Sequence, residues 1–96
     1  MQSSALIVDN KDNVATALRQ LEKGTSVGMQ TGDSRVSVVL SQAIPFGHKF
    51  ALRTIEKGEP VIKYGEVIGL ATTKINKGEH VHVHNTEGLK GRGDKL

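Results

Sequence analysis

Three histidines alternate with valines near the carboxyl end of the chain. Residues 79–85 read Glu-His-Val-His-Val-His-Asn. In a β-strand, alternate side chains share a face about 7 Å apart, so neighbouring imidazoles could converge on one ion. Histidine is the commonest metal ligand and titrates near neutral pH. The pattern predicts a strand with Val81 and Val83 in the core and a metal-binding, substrate-binding or acid–base face opposite, made by His80, His82 and His84. A solvated face on an edge strand is the plainer alternative.

Two other segments place cations or a phenol at glycine turns. Residues 46–49 read Phe-Gly-His-Lys, and the glycine indicates a turn that presents His48 with Lys49 beside it. Such a pair suits a carboxylate or another anion. Residues 63–66 read Lys-Tyr-Gly-Glu and place the single tyrosine, Tyr64, at a glycine turn, where Lys63 and Glu66 pair with each other or face a ligand. An exposed strand start and a packed tyrosine ring are the alternatives for these two segments.

A complete catalytic set is not visible. The chain has no cysteine, which removes disulfides and thiolate metal sites. No glycine-rich phosphate loop precedes a helix, and no serine stands in a nucleophile elbow. The acidic residues lie mostly in turns, so no carboxylate pair is expected. With 96 residues, enough for one domain, the sequence indicates an accessory domain that works against a larger catalytic partner.

The elements that must position these residues are short strands joined by glycine turns. An apolar–x–Lys–Gly–Glu–x–Val pattern occupies residues 55–61, recurs at 75–81 and has a fainter copy at 21–27. Glycine supplies the positive φ that such turns can require. Eleven glycines against two prolines agree with many tight turns. We therefore expect a mostly β fold, a ribbon of short strands folded over itself.

One short α-helix is expected near the amino terminus. Val14, Ala17, Leu18 and Leu21 fall at positions i, i+3, i+4 and i+7, the spacing of an amphipathic helix. Asn10 or Asp12 could cap it, and Gly24 would end it.

Charge and hydropathy limit the classes of binding partner that the sequence supports. The net charge of +3 is spread along the chain, and few aromatic residues can stack on bases, so no nucleic-acid partner is expected. No apolar run approaches the roughly 20 residues that span a membrane, and no signal peptide is evident. We expect a cytoplasmic protein without membrane contact. Residues 5–86 would form the domain, and the Gly-, Lys- and Arg-rich residues 87–96 a flexible basic tail.

Three blocks of the sequence resemble a known family. They are residues 44–55, residues 58–69 with the segment Lys-Tyr-Gly-Glu-Val-Ile-Gly at 63–69, and residues 78–85. The chain is similar to the SAF domain, a β-clip fold at the amino terminus of altronate and galactarate dehydratases. It also resembles the stand-alone small subunit of sulfolactate sulfo-lyase.

The resemblance implies a function and a partner. These lyases eliminate water or sulfite from a small anionic hydroxy acid, and the divalent metal, typically iron, belongs mainly to the large domain. The SAF domain would cap that site, so the chain is expected to be a small subunit beside a separate large catalytic subunit, or the amino-terminal SAF domain of a longer protein. The resemblance does not decide which acid is the substrate. It also does not decide the oligomeric state, for which a homo-oligomer is one possibility.

The residues singled out above fall inside the matched blocks. The resemblance therefore implies that the catalytic residues are His48, His82 and His84. Substrate binding is expected of Lys49, Lys63, Tyr64 and Asn85. No histidine is assigned to a metal, and His80 receives no separate role. Two other interpretations stay open: a non-catalytic carbohydrate- or partner-binding β-clip module, and an independent metal-binding protein that uses His80, His82 and His84.

Overall fold

The computed structural model describes residues 4–88, which form nine short strands and, within that range, no helix. The mostly β prediction is confirmed. The strands are β1 Ala5–Leu6, β2 Val14–Ala17, β3 Ser26–Thr31, β4 Ser34–Val39, β5 Lys49–Ala51, β6 Pro60–Lys63, β7 Glu66–Ala71, β8 His80–Val81 and β9 Thr86–Gly88.

An antiparallel four-stranded sheet, in the order β1-β2-β5-β8, lies at the centre of the fold. Its two faces contact different cores. Ala15 is opposite Phe50 in the register, and both belong to one apolar cluster. Val14 is opposite Ala51, and both belong to the other. Alternate residues of each strand therefore enter opposite cores, as the period of two requires.

Two smaller antiparallel sheets flank the central one. β3 and β4 form a hairpin that contributes Val27, Met29 and Val38 to the first core. β6, β7 and β9 form a three-stranded sheet that contributes Val61 and Ala71 to the second. Each small sheet thus covers one face of the central sheet.

The helix expected over residues 14–21 is wrong. Val14–Ala17 is strand β2, hydrogen-bonded between β1 and β5. Both faces of β2 are buried, so it is a nearly continuous apolar run, and periodicity alone cannot distinguish such a run from a buried helix. Leu18, which the helical spacing placed in the core, is 42% exposed.

Four segments share one turn conformation, and we call them the glycine turns: residues 21–27, 44–50, 55–61 and 75–81. The fourth residue of each is a glycine with positive φ: Gly24 at 89°, Gly47 at 82°, Gly58 at 87° and Gly78 at 87°. The N–H of the fifth residue donates to the carbonyl of the second at 2.9–3.1 Å. The sequence repeat identified three of them. It missed 44–50, which has Pro-Phe-Gly-His at its second to fifth positions.

Each glycine turn is fixed to one residue of another segment. The glycine N–H donates to the carbonyl of that residue, and the N–H of the same residue donates to the carbonyl at the fifth position of the turn. The four anchoring residues are Leu40, Ala17, Ala71 and Ala51. The first residues of the turns also pair, Leu21 with Ile44 and Ile55 with Ile75. The turns therefore connect the sheets as well as reverse the chain.

The sequence placed the end of the domain at residue 86 and the start of a tail at residue 87. In the structure, β9 continues to Gly88 and pairs with β7, so residues 87 and 88 are part of the sheet. The remainder of the predicted tail, residues 89–96, lies outside the described residues. Within the described range no helix is long and apolar enough to cross a membrane.

Candidate functional site

The pairing of β5 with β8 brings two distant histidines together. His48 directly precedes β5, and His80 begins β8 opposite Phe50. The His48 Nδ1 and His80 Nε2 atoms are 2.8 Å apart, which is hydrogen-bonding distance. One of the two nitrogens carries the shared proton, so the tautomers of the two rings are coupled.

Two more imidazoles join this pair, and we call the four rings the histidine cluster. The His82 ring stacks on that of His48 with centroids 4.1 Å apart, and it lies 5.5 Å from that of His80. The His84 ring is 5.2 Å from that of His80. The rings of His80, His82 and His84 do lie near one another, but the single strand predicted to carry them is wrong, because His82 and His84 lie in a turn after β8.

The placement of Val83 in the core is wrong. β8 ends at Val81, which is fully buried, whereas Val83 is 82% exposed. The chain turns over residues 82–85, so the alternation of faces that holds along a strand stops after Val81. His82 still lies beside His48, because the register that pairs Phe50 with His80 and Lys49 with Val81 brings residue 82 next to residue 48.

Asn85 organises that turn from a buried position. Its Nδ2 donates to the His80 carbonyl at 2.8 Å, and its Oδ1 accepts from the His82 N–H at 3.0 Å and from the Thr86 hydroxyl at 3.2 Å. The amide group is thus bonded to the chain at both ends. Asn85 was predicted to bind substrate; in this structure it positions the backbone of two histidines.

Burial and neighbouring positive charge keep part of the cluster neutral. Burial, followed by the imidazoles of His48, His84 and His82 and the ammonium of Lys49, lowers the pKa of His80 to about 4. Burial and the same kind of neighbours also lower the pKa of His82. At neutral pH His80 is therefore an uncharged imidazole with a lone pair.

Lys49 and Lys63 add positive charge beside the cluster. Burial, followed by the charge of Lys63, lowers the pKa of Lys49. The charge of Lys49, which follows His48 in the chain, also contributes to the lowered pKa values of His80 and His82. The two lysines that the sequence singled out for substrate binding are therefore neighbours of each other, and Lys49 is a neighbour of the histidines.

Tyr64 lies at the tip of the β6–β7 hairpin. Its φ of 58° and the 74° of Gly65 fit a two-residue hairpin turn that needs positive φ at both positions. Its ring is 56% exposed and contacts Lys63, whose Nζ is 4.7 Å from the ring centroid. The packed ring considered as an alternative is not what the structure shows.

The side chain of His48 is available because its glycine turn differs from two of the others. In the turns at 55–61 and 75–81, the fifth-position glutamate accepts the second-position N–H, from Glu56 to Glu59 at 2.9 Å and from Asn76 to Glu79 at 2.7 Å. The turn at 44–50 has Pro45 at that second position, and proline has no N–H to donate. The fifth residue of this turn therefore has no second-position N–H to accept. That residue is His48, so its side chain is not held within the turn in this way.

His80 is the residue that sequence reasoning undervalued. It contacts the rings of His48, His82 and His84, so it is the centre of the cluster. Its backbone is fixed by Asn85 and by the Gln42 side chain, which accepts the His80 N–H at 2.9 Å. The available signal was its position beside Val81 on a predicted strand, but the sequence did not show that this strand pairs with the one after His48.

Three of the four histidines could hold a metal ion. One ring nitrogen each of His48, His80 and His82 lies within 4.8 Å of the others, and all three side chains are half-buried. This set differs from the His80, His82 and His84 group considered from the sequence, because the turn removes His84 and the strand pairing adds His48. Neutral imidazoles can also donate and accept protons, so the arrangement suits both metal binding and acid–base chemistry.

Comparison with known proteins gives the family. The sequence profile of the altronate/galactarate dehydratase SAF domain matches residues 3–89. Altronate dehydratase of Escherichia coli (strain K12) is 51% identical over 75 residues, which are 78% of this chain and 14% of that protein. Altronate dehydratase of Bacillus subtilis (strain 168) is 39% identical over 84 residues, 88% of this chain and 16% of that protein.

A shorter relative also matches. The (2R)-sulfolactate sulfo-lyase subunit alpha of Chromohalobacter salexigens is 46% identical over 55 residues, 57% of this chain and 58% of that protein. The chain thus spans about one seventh of the altronate dehydratases and somewhat more than half of the sulfo-lyase subunit. On the match over residues 3–89, this chain belongs to the SAF-domain family of altronate and galactarate dehydratases.

Proposed function

We propose that this chain is the SAF component of a metal-dependent lyase and completes the active site of a separate, larger catalytic subunit. The substrate would be a small anionic hydroxy acid, from which water or sulfite is eliminated. The names of the relatives, two dehydratases and a sulfo-lyase subunit, support this class of reaction. Most of the length of the altronate dehydratases lies outside the matched region, so the SAF region is a small part of those proteins.

The observation that carries the proposal is the histidine cluster beside Lys49. An elimination needs a group that removes a proton from carbon and another that protonates or stabilises the departing group. His82, whose pKa is lowered, is neutral at pH 7 and can accept a proton. His84 is exposed and can meet a substrate held by the partner. His48, bonded to His80, completes the set of three catalytic histidines.

The lysines would hold the acid. Lys49 and Lys63 are half-buried and close enough for the charge of Lys63 to lower the pKa of Lys49. A carboxylate placed between them would relieve this repulsion and gain charge-assisted hydrogen bonds. Tyr64, beside Lys63, would border the same anion.

The divalent metal of the proposed lyase, with iron as the expected ion, would be held mainly by the large subunit. The imidazoles of His48, His80 and His82 also fit such an ion by donor type and spacing. A metal bound in the assembled site would act as a Lewis acid toward the carboxylate or the departing oxygen. A cytoplasmic location and a homo-oligomer stay predictions.

Reconstitution tests the proposal. The chain alone should show no turnover of altronate, galactarate or (2R)-sulfolactate, whereas a mixture with its large subunit should turn over one of them. The double variant His48→Ala/His82→Ala should lower this activity roughly 100-fold or more, the usual weight of acid–base groups. Lys57→Ala, on a glycine turn without a histidine, serves as the matched control.

Two results would contradict the proposal. Full activity of the large subunit alone would show that it needs no cap. Unchanged activity of the folded double variant, together with binding of a carbohydrate or a partner, would favour the non-catalytic β-clip module instead.

A further inference from the structure

We propose that this chain by itself binds one divalent first-row transition-metal ion through His48, His80 and His82. The site requires no residue from a catalytic partner. It shares His48 and His82 with the lyase function proposed above, but its test is binding of the metal and does not depend on activity.

The spacing of the ring nitrogens supports the site. One nitrogen from each ring lies within 4.8 Å of the other two, and the closest pair, His48 Nδ1 and His80 Nε2, is 2.8 Å apart. Bonds of about 2.0–2.1 Å from nitrogen to zinc place two ligands of one ion roughly 3 Å apart. The closest pair is already near that separation, and an ion would replace its hydrogen bond with two coordinate bonds.

The rings must rotate to complete the site. The His48 and His82 planes differ by 18° and are stacked, so their lone pairs do not yet converge on one point. The χ2 torsion of histidine has a broad energy minimum, which allows rotation without moving the backbone. Stacking between neutral rings is a weak contact compared with a coordinate bond, so we expect the ion to reorient His82.

The backbone that carries these ligands is already fixed. His48 and His80 flank paired strands, and the Asn85 amide binds the His80 carbonyl and the His82 N–H. Gln42 accepts the N–H of His80. A preorganised backbone lowers the entropic cost of binding, because only side-chain rotation remains.

The donor set selects the class of metal. Three imidazoles and no carboxylate favour zinc, cobalt, nickel or iron over magnesium and calcium, which prefer oxygen ligands. Three protein ligands leave at least one coordination position open. An open position of this kind can take a water molecule or an anionic ligand.

Metal titration of the isolated chain tests the site. We expect visible absorption from Co²⁺ bound to nitrogen ligands, saturating at one ion per chain, and calorimetric Zn²⁺ binding with a dissociation constant on the order of micromolar. His48→Ala, His80→Ala and His82→Ala should each weaken binding at least tenfold. His84→Ala is the matched control and should bind as the unaltered chain does.

Thermal unfolding in the presence of a chelator shows whether each variant is folded. If His80→Ala does not fold, His80→Asn replaces it. The absence of a Co²⁺ spectrum in the unaltered chain would overturn the proposal. An equal loss in His84→Ala would overturn the ligand set and restore the group of His80, His82 and His84. Binding that survives all three ligand substitutions would place the ion elsewhere.

Discussion

At the residue scale, a buried amide decides how the histidines are arranged. Asn85 bonds the His80 carbonyl and the His82 N–H, and these contacts turn the chain immediately after β8. The β5–β8 register, Phe50 with His80 and Lys49 with Val81, already brings residue 82 beside residue 48, and the Asn85 contacts hold the backbone there as the chain turns. The arrangement of the cluster is therefore supported by a buried side chain whose Nδ2 and Oδ1 are both bonded within the chain.

Asn85→Asp tests this role. The substitution replaces the amide donor with an acceptor 2.8 Å from the His80 carbonyl oxygen, in a side chain that is only 5% exposed. We expect the free energy of unfolding to fall by about 2–3 kcal/mol, since a buried polar group is left without its partner. Urea denaturation measures it. The control is Asn76→Asp in the exposed part of a glycine turn, expected within about 0.5 kcal/mol of the unaltered chain. Equal losses in the two variants would contradict the role of Asn85.

At the scale of the element, the same turn conformation carries a capping glutamate in two glycine turns and a histidine of the cluster in another. Turns 55–61 and 75–81 use a glutamate to cap their own second N–H. Turn 44–50 has the same backbone hydrogen bond, from His48 N–H to the Pro45 carbonyl at 3.0 Å, but no N–H to cap. With proline at the second position, the turn does not need a glutamate at its fifth position to accept a second-position N–H. The fifth residue can therefore be a histidine of the cluster, His48.

A double-mutant cycle at Pro45 and His48 tests this explanation. Pro45→Glu restores the N–H, and His48→Glu restores the acceptor found in turns 55–61 and 75–81. The two changes together should be more stable than the sum of the single changes by about 0.5–1.5 kcal/mol, the net value of one hydrogen bond. The cycle cancels the entropic effect of removing proline. Urea denaturation gives the four free energies. A coupling near zero would contradict the explanation.

At the scale of the whole molecule, two cores lie on opposite faces of one sheet, and the glycine turns connect the parts. Gly78 makes the closest of these connections. Its N–H donates to the Ala51 carbonyl, and its carbonyl accepts from the Ser41 N–H. A Cβ built on it would lie 2.4 Å from the Val39 carbonyl oxygen. The turn that leads to β8 therefore packs directly against the end of β4.

Gly78→Ala and Gly58→Ala separate backbone conformation from packing. Both glycines have a φ of 87°, but a Cβ at Gly58 meets nothing within 4 Å. Gly58→Ala should lower the free energy of unfolding by about 1–2 kcal/mol, the cost of left-handed backbone. Gly78→Ala should cost a further 1–3 kcal/mol or so, because the backbone of β4 must move. Chemical denaturation of both variants checks this. Equal losses would show that the Val39 contact carries no energy.

Much of the fold was accessible from the sequence because its signals are local. The Lys-Gly turns, the β-rich pattern and the shared region of His80, His82 and His84 follow from residues that are neighbours in the chain. The helix over 14–21 failed because a strand buried on both faces carries no alternation. The turn at 44–50 was missed because Pro45 and His48 replace the residues that define the repeat.

By itself, the sequence determined the class of fold, the positions of three glycine turns and the family, and it singled out the histidines and lysines of the proposed site. Only the tertiary structure placed His48 against His80, 32 residues away. Strand pairing of this kind depends on register. The register is set here by the burial of alternate residues of β2 and β5 in two cores on opposite faces of the sheet. The composition of the histidine cluster is for that reason a property of the packed sheet rather than of the His-Val-His-Val-His segment.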